Sequence, residues 1–376
     1  MSRPILQSPV ISAFSRVTLR TAPGLFVAVS RRMRPCGSVL VLQTVLLSAP
    51  TFGQEGGQRR PAIQNLELEI ARLAAAAQGV VGVGVVHLES GRAVYLNPQV
   101  SFPMGSTVKV PVAVELLRRV DHGEVRLDSL VVLGREQVYP RTHGPISEFI
   151  RPGSALTIRN LLELMLQVSD NNAADILLLG PVGGPERVTT LMTSAGLGGI
   201  RVDRSISVLI AHEMNATQVS MAKPLSPDEF LELLKQMLAR TGKYYPENQN
   251  PGFDYDPRDT ATPQAMVDLL AKVWRREILS EASSALLLDT MYGCKTGERR
   301  LKGMLPSGTR VAHKTGTINR SVNDAGIIDL PGNAGHVVTV VFIKESRLPS
   351  REAREDVIAQ IARAVHDYFT FIPEGS

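Results

Sequence analysis

Two cysteines in 376 residues leave almost no room for disulfide chemistry. Cys36 falls in an arginine-rich N-terminal stretch that reads as removable, which would leave Cys294 alone. No internal bridge is then possible, and the fold has to rest on its packed core. Acidic residues are missing altogether from residues 1–54, which hold six arginines (Arg3, Arg16, Arg20, Arg31, Arg32, Arg34). The formal charge of +5 therefore belongs to that stretch, and the remainder carries a formal charge of −1. With no polybasic face to neutralise phosphates, nucleic acid is excluded as a partner. Long apolar runs are missing as well: Val39 to Ala49 counts 11 residues, well short of the ~20 needed to span a bilayer. Clustered metal ligands are also missing. His212-Glu213-Met214-Asn215 starts like H-E-x-x-H, but Ala216 stands at the fifth position, so no metal and no cofactor are expected.

What is present at the N-terminus has the order of an export signal. Arg31, Arg32 and Arg34 form a positive region, Val39 to Ala49 the apolar region, and Thr51-Phe52-Gly53 a small-residue exit. The expectation is a leader and cleaved secretory signal peptide over residues 1–54, and a periplasmic or secreted protein of residues 55–376. Met33 heads this unit and is a candidate start, which N-terminal sequencing would decide. Cys36 precedes the apolar run, where a lipid-attachment cysteine would not lie. A remainder of roughly 320 residues is large enough to bury ~75% of its unfolded surface.

The rest of the chain changes period twice. Ala62 to Ala77 is Ala- and Leu-rich at helical spacing. Val80–Glu89 and Arg92–Leu96, parted by Glu89-Ser90-Gly91, predict a strand hairpin. Gly308–Ile318, Val322–Leu330 and His336–Glu345 predict three more strands, turning at 319–321 and 331–335, and Glu352–Phe371 a closing amphipathic helix. The middle is helical: Lys109–Val120, Thr157–Val168, Ala173–Leu179, Asp228–Arg240 and Gln264–Ile278, the last two opened by Ser-Pro and Thr-Pro starts. The predicted class is α/β (α+β). Five antiparallel strands from about 62–105 and 308–371 carry a helix from each terminus, and an all-α segment of about 106–307 is inserted between them.

Three short signatures stand in order: Ser106-Thr107-Val108-Lys109, Ser169-Asp170-Asn171 and Lys314-Thr315-Gly316. S-x-x-K arises by chance roughly once per 300 positions, whereas the other two are each expected about once in several thousand. Ser106 precedes a helical run, where free backbone N–H groups favour negative charge on an oxyanion. Lys109, three residues on, shares its face and can take the serine proton if its pKa falls. A second cation such as Lys314 would help lower it. Ser169 falls in a turn between helices and can relay a proton; Asn171 can bind an amide, and Asp170 and Asn171 equally suit a helix cap. Lys314 with the hydroxyls of Thr315 and Thr317 suits a carboxylate, and Gly316 lets the backbone approach a ligand. Lys295-Thr296-Gly297 repeats the last motif in a turn before Glu298-Arg299-Arg300 and is expected to be structural.

With these residues the chain resembles the penicillin-recognising serine hydrolases, and within them the class A β-lactamases, from about Leu66 to Phe369. The resemblance includes the surroundings of Ser169, Arg258–Pro263 (RDTATP) and RLKGMLPSGTRVAHKTGT. It implies a β-lactamase/transpeptidase-like fold, with Ser106 as acylated nucleophile, Lys109 as base or relay, Ser169 as proton donor to the lactam nitrogen and Asn171 as orienter. It further implies Lys314, Thr315 and Thr317 as the carboxylate site, an oxyanion hole from the N–H groups of Ser106 and Thr317, and Lys302 as auxiliary carboxylate binder. The implied partner is a small-molecule β-lactam or a peptidoglycan peptide, bound by a monomer. One departure stands out. Arg201-Val202-Asp203-Arg204 fits the opening of the family's omega loop, but Ile206 stands where the deacylating glutamate belongs. The loop closes at Arg258-Asp259, 55 positions after Arg204, against about 15 in relatives, which makes 206–257 an insert. Glu213-Met214-Asn215 resembles the end of the loop motif, so Glu213 is the candidate replacement base; Glu229 and Glu232 read as solvated. Hydrolysis of lactams, a D,D-peptidase on peptidoglycan stem peptides and a penicillin sensor that stays acylated are the readings left.

Overall fold

Strands from both ends of the chain meet in one sheet, and most of the helices between them pack on one of its faces. The computed structural model describes residues 62–221, 225–247 and 249–372; the leader expected over 1–54 lies outside them. Helix α1 (Ala62–Ala75) sets Leu66, Ile70 and Leu73 on one buried face. Strands β1 (Val80–His87) and β2 (Ala93–Leu96) form the hairpin. A short strand, β3 (Phe102–Pro103), runs through a 3-10 turn at Gly105–Val108 into α2 (Lys109–Asp121), which is buried continuously from Lys109 to Leu117. There follow β4 (Leu130–Val132), α3 (Pro145–Phe149), β5 (Ala155–Thr157), α4 (Ile158–Gln167), α5 (Asn171–Leu179) and α6 (Pro185–Ser194). Then come α7 (Ile206–Glu213), α8 (Pro227–Thr241), β6 (Thr260–Ala261), α9 (Pro263–Trp274) and α10 (Glu281–Tyr292). The chain returns to the sheet with β7 (Val311–Ile318), β8 (Ser321–Asp329) and β9 (His336–Lys344), and ends in α11 (Arg351–Phe371).

The sheet order is β2-β1-β9-β8-β7, antiparallel throughout. This is the expected class and architecture. One face packs on α1 and α11 through Ile70, Val83, Val341, Ile358 and Ile361. The other faces a larger core that joins α2, α4, α5, α9 and α10 around Val112, Leu116, Leu161, Leu177 and Leu270. Both faces being covered, β7–β9 are buried along almost their whole length, and β9 reads as a near-continuous apolar run.

Element ends differ in two informative places. Gly308–Arg310 is not strand: Thr309 N–H bonds Pro306 O in a turn and Gly308 has φ of +86°. Helix α9 stops at Trp274, four residues before the expected end, because Arg276 takes a left-handed φ of 60°. The insert builds a small core of its own, with Phe230, Leu234 and Met237 of α8 against Tyr139 and Met214. Arg204 pins both ends of the long loop. It is fully buried and bonds Asp259 at 2.5 Å and Asp256 at 3.1 Å, while the backbone N–H groups of Asp203 and Asp259 each donate to the other's carboxylate.

Candidate active site

The sheet edge β7 runs directly beneath the Ser106 turn, and glycine permits it. A Cβ on Gly316 would lie 2.2 Å from Met104 O, and one on Gly105 (φ +51°) would lie 2.9 Å from Thr317 N. Only glycines allow this approach. Asn323 of β8, paired across to Gly316, locks the contact by donating to Pro103 O (2.7 Å) and Met104 O (3.1 Å). The Ser106 turn is thus fixed to the strand that carries Lys314.

A cavity of about 450 Å³ opens there, lined by Ser106, Ser169, Asn171, Thr315 and Thr317. The two lysines meet on one hydroxyl. Lys109 Nζ lies 3.2 Å and Lys314 Nζ 3.0 Å from Ser169 Oγ. Lys109 also donates to Ser169 O (2.7 Å) and Asn171 Oδ1 (2.8 Å), and Lys314 to Thr315 O (2.9 Å). Both ammonium groups are fully buried. Burial, and then the charge of Lys314, holds Lys109 well below the ordinary lysine value, although Asp170 and Asp175 oppose it. Burial lowers Lys314 to about 8 against the pull of Cys294 and Asp324, with Arg300 adding to the fall. Ser169 takes a left-handed φ of 61°, backbone strain located where the two lysines converge. Asp170 is the helix cap of the triplet, accepting from Ala173 N (2.9 Å) and Ile146 N (2.8 Å), so of the two capping candidates only Asn171 faces the cavity.

Lys302 is not part of this group. Its ammonium bonds Cys294 O (3.3 Å) and Glu298 (3.5 Å) and does not line the cavity. Arg300, two residues earlier, lines the cavity instead. It donates to Thr317 Oγ1 (2.6 Å) and Gly316 O (2.8 Å), and pairs with Glu355 at 3.0 Å. Two residues of offset in a turn rotate a side chain to a different side, and no periodic signal in RRLKG tells which cation turns inward. The second K-T-G is also corrected. Lys295 is exposed, but Thr296 and Gly297 line the cavity, and Thr296 Oγ1 lies 2.7 Å from Thr315 Oγ1.

Helix α7 lines the opposite wall with Ile206, Leu209, Ile210 and Glu213, one face at helical spacing. Asp175 caps its start, accepting from Ile206 N and Ser207 N. Glu213 sits at the far end of this face, about 10 Å along the axis from Ile206. Burial raises its carboxyl to about 7, helped by Glu247 and opposed by a bond from the Asn319 backbone. Among the described residues no cation pairs with it, whereas Glu247 and Glu355 on the same cavity are held by Arg354 and Arg300. His212, the start of the near-miss metal motif, instead bonds Arg204 and Val219 O.

Comparison with known proteins places the chain in a family. Residues 65–369 match the family described as "Beta-lactamase enzyme family". The chain is 29% identical to Beta-lactamase VEB-1 of Pseudomonas aeruginosa, covering 81% of this chain and 90% of that protein. It is 30% identical to Beta-lactamase L2 of Stenotrophomonas maltophilia, over 78% and 83%. An ancestral (GNCA) class A beta-lactamase superposes with a TM-score of 0.63 at 33% identity, covering 80% of this chain and 98% of that one. A beta-lactamase from Chitinophaga pinensis gives a TM-score of 0.65 at 31% identity, over 81% and 98%. The chain belongs to the class A beta-lactamase family.

Proposed function

We propose that the protein is an exported serine hydrolase that opens β-lactam amides through a covalent acyl-enzyme. The observation that carries this reading is the meeting of two buried lysines on the Ser169 hydroxyl beside Ser106. Neutral Lys109 takes the Ser106 proton as Oγ attacks the lactam carbonyl, and the N–H groups of Ser106 and Thr317 receive the oxyanion. Ser169, bonded to both lysines, hands a proton to the departing nitrogen. Thr315 and Thr317, with Lys314 and Arg300 behind them, hold the substrate carboxylate. Water then attacks the ester with Glu213 as the base, a role supported by its place on the cavity wall and its value of about 7. The substrate is a small-molecule β-lactam, the protein acts as a monomer, and residues 1–54 direct it to the periplasm or medium.

One observation favours a second reading. Ile206 begins the cavity face of α7 and Glu213 ends it, so a base that cannot cross that interval would leave the ester intact, as in a penicillin sensor. A D,D-peptidase is the third outcome. Rapid mixing with benzylpenicillin, followed by intact-protein mass spectrometry, separates them. The expected result is a transient adduct that Ser106→Ala abolishes, with turnover. A stable adduct supports the sensor, and cleavage of a D-Ala-D-Ala peptide without lactam turnover supports the peptidase.

A further inference from the structure

A polar chain runs from the sheet interior to the carboxylate side of the cavity, and the catalytic scheme uses only its last member. Asp324 of β8 accepts from His313 Nδ1 at 2.9 Å. The other ring nitrogen, Nε2, is buried without a hydrogen-bond partner, and the ring and the Cys294 thiol act on each other through their charges. Cys294 Sγ lies 3.4 Å from Thr296 Oγ1, and Thr296 Oγ1 lies 2.7 Å from Thr315 Oγ1. Asp324, His313 and Cys294 are all buried, while Thr296 and Thr315 line the cavity.

We propose that Cys294 is a positioning residue for the carboxylate subsite, because the proton on its sulfur decides which way the Thr296 and Thr315 hydroxyls point. The inference rests on the lactam-hydrolase reading for the identity of the carboxylate. Each hydroxyl has one hydrogen to give. With the sulfur as thiolate, Thr296 donates to it, Thr315 donates to Thr296, and the cavity faces only the lone pairs of Thr315. With the sulfur protonated, Thr296 is released to donate to Thr315, and Thr315 donates into the cavity. An anionic carboxylate binds the second arrangement.

The charges around Cys294 put this exchange near neutrality. From β7 it faces His313 and Lys314, from β8 Asp324 lies behind His313, and from its own turn come Thr296 and Lys302, whose ammonium bonds the Cys294 carbonyl. The neighbouring Lys295 is tied by its backbone N–H to the carbonyl of the uncharged Gln167 of α4 and is itself exposed. Burial pushes the thiol up, but His313 and Lys314 outweigh it and bring the thiol down to about 7. Burial lowers His313, yet Asp324 and Cys294 raise it to about 9, so the ring stays cationic as the thiol titrates.

The test follows the thiolate by its ultraviolet absorbance in the free protein, with Cys294→Ser as the blank, and KM and kcat for benzylpenicillin against pH. The expected midpoint for Cys294 is near neutrality. Thr296→Val, which removes the donor to the sulfur, should raise it by about one pH unit. KM should rise about tenfold as pH passes through this midpoint, one charge-assisted hydrogen bond being lost. Thr296→Val should abolish that rise, while the later rise from Lys314, near 8, persists. A thiol that titrates at its ordinary value of about 8.5, or a midpoint unmoved in Thr296→Val, overturns the proposal. Absence of penicillin turnover at every pH would count against the lactam-hydrolase reading, and the thiol titration would still decide the role of Cys294.

Discussion

Glu213 is a carboxyl with one bonded neighbour and a burial-raised value of about 7, so half of it is ionised at neutral pH. A general base works only when ionised, which sets the sign: deacylation should quicken as pH rises through about 7 and level off above it. Glu213→Gln should flatten that limb and slow deacylation by about 10²- to 10⁴-fold, measured as decay of the acyl adduct by mass spectrometry. An unchanged decay would remove Glu213 from the mechanism. The convergence of Lys109 and Lys314 on Ser169, on the cavity that Ser106 lines, was legible from the motifs because each motif needs a particular atom at a particular spacing. Arg300 was not. Its inward turn depends on Gly316 O and Thr317 Oγ1 arriving from a strand that lies elsewhere in the sequence.

The long loop and its insert stand or fall with Arg204. The guanidinium has no exposed surface and bonds Asp259 and Asp256 across the 55-position interval. Its removal would leave Asp259 buried and unpaired. Arg204→Ala should therefore cost about 3–5 kcal/mol, read as a lowered midpoint in urea unfolding, and should loosen the α7 wall. The acid side carries the same signature. Desolvation raises Asp256, but its bonds to Arg258 and Arg204 bring it down to about 2. A carboxylate depressed in the folded state contributes stability above its ordinary value of about 3.8, and that contribution is lost as pH falls through about 2. The Arg204–Asp259 pairing could be anticipated from the loop's ends. The folding of the insert on Tyr139, which lies before α3, could not.

The two largest cores of the described chain lie on either side of one sheet, and the charge of the sequence apart from residues 1–54 is close to balanced. The described residues from 62 to 372 form one compact unit. A protein consisting of residues 55–376 should accordingly fold without residues 1–54, show the thermal midpoint of the full-length chain in calorimetry, and form the same penicillin adduct. A leaderless chain that aggregates or stays unacylated would count against residues 1–54 being dispensable.

What the order of residues determined alone was the set of elements and the chemistry they carry. Apolar period separates α1 and α11 from the strands between them, and S-x-x-K, S-D-N and K-T-G mark the polar groups that line the cavity. These signals are local, resting on contacts within a turn or along one face. What only the tertiary structure decided was which polar groups share a cavity. Thr296 and Arg300 join it, and Lys302 turns away. These outcomes depend on the approach of β7 to the Ser106 turn, a contact between segments some 200 residues apart, where no short-range period reaches.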